Sequence, residues 1–217
     1  MTYKAAIFDL DGTLLNTIED LHTSINYALH TNGFPEQTLE QTTSNVGNGV
    51  RQLVHRSLPM GTPTDQEEQV FSTFSAHYGR NYCEKTVPYP RVMEMLHAIS
   101  AAGMLRAVVS NKPDAAVQKL VAIYFPGLFN AVVGEREGIR RKPAPDTVDA
   151  VMEALGVTPD ECVYVGDSEV DVDTARNAKT DCICVSWGYR GKAALKDAGA
   201  KVIVDDADQL ADVLLGE

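Results

Sequence analysis

The sequence predicts an α/β fold: a doubly wound, Rossmann-like core built on a parallel sheet, with an all-helical cap domain inserted near its start. Three observations carry this. Six short runs rich in Val and Ile recur along the chain and are almost continuously apolar, as strands covered on both faces should be. Segments with helical spacing alternate with them, the rhythm of a doubly wound sheet. The rhythm breaks once, between the first run and the second, where about ninety residues contain no good strand.

Taken in order, AAIFDL (5–10) is the first strand and runs directly into Asp11, Gly12 and Thr13. Residues 17–31 place Ile18, Leu21, Ile25 and Leu29 on one helical face. Asn16 or Thr17 would cap that helix, with Glu19 or Asp20 in its first turn and NGF (32–34) as its stop. Residues 46–58 and 65–83 also read as helices, the second with a core stripe of Val70, Phe74, Tyr78 and Tyr82. TVPYP (86–90) reads as the return linker. The helical cap domain is therefore expected over residues 16–83, and the discontinuous core over 1–15 and 84–217. In the core, a helix over 91–103 precedes a strand at 105–111, and a Pro-started helix over 113–124 precedes a strand at 131–135. A third helix, over 145–156, precedes strands at 162–167, 182–187 and 201–206.

With 217 residues and 44% hydrophobic content, the chain can bury one sizeable core plus a smaller insert. Its formal net charge of −11 argues against nucleic acid and against anionic membrane surfaces. A negatively charged substrate stays open, because a bound cation inverts the sign inside one pocket. No apolar run approaches the roughly 18 residues of a membrane span, and the N-terminus carries no secretory pattern. A cytoplasmic protein is expected. Cys83, Cys162, Cys182 and Cys184 form no CxxC pair and read as reduced thiols in or near the core. The five histidines show no metal-binding spacing; only His22, near the start of the insert, is a candidate to face a site.

In open α/β sheets ligands bind at the carboxyl ends of the strands. The first strand ends in Asp9-Leu10-Asp11-Gly12-Thr13 and the second in Ser110-Asn111-Lys112. Arg140-Arg141-Lys142 follows the third strand, and Gly166-Asp167-Ser168, with Asp171 beyond, ends the fourth. Carboxylates crowded together raise one another's pKa unless a cation sits among them, and an all-oxygen set suits Mg²⁺. A serine hydroxyl and turn amides can hold phosphate oxygens, and Lys142 can offset the charge of a transferring phosphoryl group. One aspartate can act as nucleophile, and a second, two residues on, can protonate the leaving oxygen and then activate water.

DLDGTL, VVSN, KPAPD and GDSEVD, in that order and each after its strand, resemble the four motifs of the haloacid dehalogenase-like hydrolases. The resemblance spans the whole chain, with the helical insert in the place of that family's cap. It implies that Asp9 is the nucleophile and a Mg²⁺ ligand. Asp11 is implied as acid/base, with its backbone carbonyl on the metal, and Asp167 as the remaining metal ligand. Lys142 is implied as the charge-stabilising catalytic lysine, Thr13, Ser110 and Asn111 as phosphate-binding positions, and Asp171 as the second acidic position. An acid at position 11 separates phosphoryl chemistry from dehalogenation. Asn16 departs from the family's frequent Asp and reads as a helix cap.

VGNGVRQLV (46–54) is similar to the cap segment of the phosphoglycolate phosphatase subgroup. There Gly47 and Gly49 would turn backbone amides, and Arg51 its guanidinium, toward a substrate carboxylate. The implied activity is a Mg²⁺-dependent phosphomonoester hydrolase acting through an aspartyl-phosphate on a small acid phosphate, 2-phosphoglycolate first. A sugar phosphomutase, a pyrophosphatase or nucleotidase, and a non-catalytic binding module remain as alternatives. The oligomeric state is not legible.

Overall fold

A computed structural model describes residues 3–216. In chain order the elements are β1 (Ala5–Phe8), β2 (Leu15–Asn16), α1 (Ile18–Thr31), α2 (Leu39–Asn45), α3 (Val50–Ser57) and α4 (Thr64–Asn81). There follow β3 (Val87–Pro88), α5 (Val92–Ala101), β4 (Leu105–Pro113), α6 (Asp114–Tyr124), β5 (Ala131–Glu135) and α7 (Asp146–Leu155). The chain closes with β6 (Cys162–Gly166), α8 (Glu169–Ala178), β7 (Asp181–Val185), α9 (Gly191–Asp197), β8 (Val202–Val204) and α10 (Ala207–Leu215).

Among the described residues, the first compact unit comprises residues 3–15 and 88–216. Its six-stranded sheet has the order β5-β4-β1-β6-β7-β8, with every pairing parallel. This is the doubly wound arrangement, in which the strand order reverses beside the first strand. β1 is buried along its whole length. Its Phe8 pairs with Val108 on one side and Val165 on the other, so Asp9 leaves the sheet level with Val109 and Gly166. The strand order thus brings the ends of β4 and β6 to either side of Asp9. Below that edge, Ile7, Val109, Val148, Val151, Tyr164 and Ala175 share one apolar cluster. All four cysteines are free thiols, and the Cys182 and Cys184 sulfurs lie 3.8 Å apart on one face of β7.

β1 stops at Phe8, two residues short of the expected strand, because the chain folds back on itself: the amides of Leu14 and Leu15 both donate to the Leu10 carbonyl, at 3.0 and 2.9 Å. β4 instead runs two residues long, to Pro113, and its pairing with β5 slips between Val109 and Pro113.

The second unit runs from Asn16 to Val87. α1 and α4 bury the expected faces: Ile18, Leu21, Ile25 and Leu29 on one, Val70, Phe74 and Tyr78 on the other, with Tyr82 just beyond α4. α1 starts at Ile18, whose amide donates to Asn16 Oδ1 at 3.4 Å. α2 has no apolar periodicity and was not expected. Its start is set by Thr38, whose hydroxyl accepts the Gln41 amide at 3.2 Å while Gln41 Oε1 accepts the Thr38 amide at 2.8 Å. α3 begins only at Val50, four residues later than expected, because Gly47, Asn48 and Gly49 hold φ of 122°, 60° and 85°. The unit extends past residue 83 because Asp20, buried on α1, holds the exit strand. Its carboxylate accepts the amides of Lys85 and Thr86, at 3.0 and 2.8 Å, and the Thr86 hydroxyl at 2.8 Å.

Removing that acceptor leaves three donors without it in a buried place. Asp20→Ala is expected to destabilise the protein by about 2–4 kcal/mol, read as a lower urea midpoint of helical signal. A midpoint within error of the parent would contradict this assignment.

Candidate active site

Four strand-end segments of the first unit converge on one buried network. Asp9 follows β1, and its Oδ1 accepts the Lys142 ammonium at 2.8 Å. Lys142 comes from the turn before α7, beside the cis bond to Pro143. The same ammonium donates to Asp171 Oδ1 and to the Tyr164 hydroxyl, each at 2.9 Å, and the hydroxyl donates to Asp171 Oδ1 at 3.2 Å. The other Asp171 oxygen accepts the amides of Asp167 and Ser168, at 3.2 and 3.1 Å, and the Ser168 hydroxyl at 2.6 Å. Asp171 therefore fixes the Asp167 loop with one oxygen and Lys142 with the other.

Asp167 is buried beside them. Its Oδ2 accepts the Tyr189 amide at 2.7 Å, and its Oδ1 accepts the Thr13 hydroxyl at 3.3 Å. The Thr13 carbonyl in turn accepts the Trp187 indole N–H at 3.1 Å. Gly188 makes this approach possible, since a Cβ there would sit 2.3 Å from Asp167 Cβ.

Asp11 turns the other way. Its Oδ1 accepts the Lys112 ammonium at 2.7 Å. The buried Ser110 hydroxyl accepts the Lys112 amide at 3.2 Å. Asn111 pairs by its amide group with the backbone of Lys142, donating to the carbonyl at 3.0 Å and accepting the N–H at 2.9 Å. Its side chain thus sets the turn that delivers the lysine.

This geometry can be matched to known proteins. Residues 6–185 fit the family model described as haloacid dehalogenase-like hydrolase. The chain is 31% identical to a phosphoglycolate phosphatase of Haemophilus influenzae, over 98% of both chains. It is 34% identical to one of Psychrobacter arcticus, over 99% of this chain and 97% of that one. A crystal structure from Lactobacillus delbrueckii subsp. bulgaricus, provisionally assigned as a phosphoglycolate phosphatase, superposes over the whole of both chains with a TM-score of 0.96 at 40% identity. The chain belongs to the haloacid dehalogenase-like hydrolases. Within that family it is a phosphatase, as its relatives are.

The charges in this hydrolase site are unbalanced. One carboxylate oxygen from each of Asp9, Asp167 and Asp171 lies within 4.8 Å of the other two, and all three residues are buried. Lys142 is the ammonium bonded among them. Burial pushes the Asp9 carboxyl up to about 7; Lys142 opposes that shift and Asp171 adds to it. Burial, then Asp171 and Asp9, push Asp167 well above the usual carboxylate range. Burial alone would lower Lys142, but Asp171 and Asp9 outweigh it and hold the ammonium charged. Ionised together, these groups leave two negative charges, which one divalent cation offsets. Hard carboxylate oxygens are what Mg²⁺ takes, so the residues present fit that ion.

Gly47, Gly49 and Arg51 belong to the second unit. There the Arg51 guanidinium pairs with Glu68 and lies 3.9 Å over the Phe71 ring. His22 is bonded within the same unit, to the Thr42 hydroxyl at 2.9 Å. Arg190 and Lys192 pair with Glu169 and Asp205, at 3.0 and 2.7 Å. The sequence alone assigns no role to Lys112, Tyr164, Gly188 or the Tyr189 amide, all of which the structure places in the network. Lys112 adjoins a recognised motif and carried a usable signal. Tyr164 sits in an apolar strand, and nothing in its spacing marks the phenol as polar.

Gly188→Ala is expected to push Asp167 aside and to lower phosphatase turnover by about 100-fold, the cost an ångström-scale misplacement in a site can carry. Turnover within about twofold of the parent would contradict the role given to this close approach.

Proposed function

We propose that this phosphatase is a Mg²⁺-dependent phosphomonoester hydrolase that forms an aspartyl-phosphate on Asp9 and acts on a small acid phosphate, 2-phosphoglycolate first. The observation that carries the chemistry is the Asp9 carboxylate at the end of the central strand, held by Lys142 and facing the Asp167 carboxylate. The substrate rests on the printed names of the full-length relatives and on the resemblance of residues 46–54. We also propose the helical unit as the cap domain and the cytoplasm as the place of action; among the described residues no helix is long and apolar enough to cross a membrane.

Asp9 and Asp167 would hold the cation, with the Asp11 carbonyl as the family resemblance implies. When bound, Mg²⁺ would screen the charge between the aspartates and the entering phosphoryl group. The Asp9 carboxylate attacks phosphorus, and the bond to the ester oxygen breaks. Asp11 gives its proton to that departing oxygen. Lys142, fixed at Asp9 Oδ1, offsets charge on the transferring group. The Ser110 hydroxyl and the turn amides donate to phosphoryl oxygens, while Thr13, whose hydroxyl donates to Asp167 Oδ1, orders the turn. Asp11, now a carboxylate, takes a proton from water, which attacks phosphorus and releases phosphate from Asp9. Asp171 and Asn111 act by positioning Lys142 and the Asp167 loop.

The test is phosphate release from 2-phosphoglycolate, pyrophosphate, hexose phosphates and nucleotides, with Mg²⁺ and with chelator. Release should require Mg²⁺ and be led by 2-phosphoglycolate, and Asp9→Asn should lower it by about a thousandfold or more. Chelator-resistant release, or substantial turnover by pure Asp9→Asn protein, would overturn the mechanism. Release led by another ester would overturn the substrate alone.

A further inference from the structure

We infer that Lys112 is the positioning residue for the acid/base: through one oxygen it fixes the Asp11 carboxyl in the orientation from which it passes a proton to the departing ester oxygen. The inference rests on the phosphatase mechanism above and adds to it a second lysine with a separate task.

Lys112 is an expensive residue to place here. Its side chain is 2% exposed, and it pairs with an Asp11 side chain that is 19% exposed. Taking an ammonium out of water is costly even when it is paired, and an apolar side chain of similar volume is often no less stable in such a place. The pair is thus poorly explained by stability alone.

The backbone that carries Lys112 is fixed from three sides. Its amide donates to Ser110 Oγ at 3.2 Å. Its carbonyl lies so close to β5 that a Cβ on Gly134 would come within 2.7 Å of it. The Gly134 amide donates to Asp114 Oδ1 at 2.8 Å, tying down the residue that begins α6. The slip in the β4–β5 register falls here: Val109 pairs with Val133 and Pro113 with Glu135, so three residues of β4 span one of β5. Such an irregularity redirects side chains at a sheet edge, and here the residue it carries pairs with Asp11.

The result is a division of labour. Asp9 and Asp11 lie two residues apart in one turn, yet each has its own buried ammonium: Lys142 on Asp9 Oδ1 and Lys112 on Asp11 Oδ1. The nucleophile and the acid/base are kept apart by different cations on different elements. With Oδ1 held by Lys112, the Asp11 carboxyl carries the transferred proton in one fixed orientation. As the Asp9–phosphorus bond forms and the phosphorus–ester bond breaks, that proton moves to the ester oxygen.

An ester with an alkoxide leaving group needs this proton, whereas 4-nitrophenolate departs without it. Because kcat/KM reports only steps up to cleavage of the ester, it excludes hydrolysis of the aspartyl-phosphate. Lys112→Met should lower kcat/KM for 2-phosphoglycolate by about 30-fold or more beyond any loss for 4-nitrophenyl phosphate, within the range that general acid catalysis contributes. Asp11→Asn should show the same selectivity, more strongly. A weaker attraction for the phosphate dianion would lower both esters alike and cancels in the ratio; ethyl phosphate, an alkyl ester without a carboxylate, must fall together with 2-phosphoglycolate, and its sparing overturns the inference. An equal fall on both esters, or no fall, overturns the inference. If Lys112→Met gives no cooperative melt, Lys112→Gln is scored by the same ratio; if neither folds, the pair is structural and the inference fails. Absence of phosphate release from both esters by the parent protein would instead overturn the phosphatase mechanism itself.

Discussion

The site depends on one buried cation. Lys142 has its ammonium among Asp9, Asp171 and the Tyr164 hydroxyl, with donor–acceptor distances of 2.8–2.9 Å. Three carboxylates this close would repel one another strongly in a medium that screens poorly. The ammonium makes Asp9 and Asp171 tolerable neighbours, and Asp171 in turn holds the Asp167 loop through two amides and a hydroxyl. Removing Lys142 from this arrangement would leave Asp9 and Asp171 buried without their shared counter-charge, which costs far more than a surface pair is worth.

The sheet makes the network possible. β1 lies between β4 and β6, so the segments that follow three parallel strands emerge side by side. The turn before α7 supplies Lys142, and the double hydrogen bond between Asn111 and the Lys142 backbone fastens that turn to the end of β4. The loop after β7 closes on the same group: the Tyr189 amide reaches Asp167, and the lack of a side chain at Gly188 leaves room for it. The strands thus fix the turns and loops that carry Asp9, Lys142 and Asp167.

All six core strands and most of the helices are legible in the sequence, because near-continuous Val- and Ile-rich runs between Pro-started, Gly-stopped segments admit few other folds. Asp9, Asp11, Lys142, Asp167 and Asp171 stand out by their place after strands. What escapes is set by partners distant in sequence or by local chemistry without periodicity. α2 is built on a polar capping pair. The late start of α3 comes from three successive residues with positive φ. Tyr164 looks like one more core residue until its hydroxyl is seen against Lys142. Arg51 is legible only as a candidate for a substrate carboxylate or as a solvent-facing residue; in its own unit it is bound to Glu68 and stacked on Phe71. Such pairings depend on side-chain register between separate helices, which spacing within one helix does not reveal.

The central claim is that Asp9 itself takes the phosphoryl group while Lys142 stands beside it. The most direct measurement is to quench the enzyme in acid during turnover of 2-phosphoglycolate, reduce it with borohydride, and sequence the peptide containing residues 5–17 by mass spectrometry. An acyl phosphate is reduced to an alcohol, whereas a free carboxylate is not. The mechanism predicts homoserine in place of Asp9 and an unchanged Asp11. Homoserine in place of Asp11, or an unmodified peptide from enzyme that is visibly turning over, would contradict it.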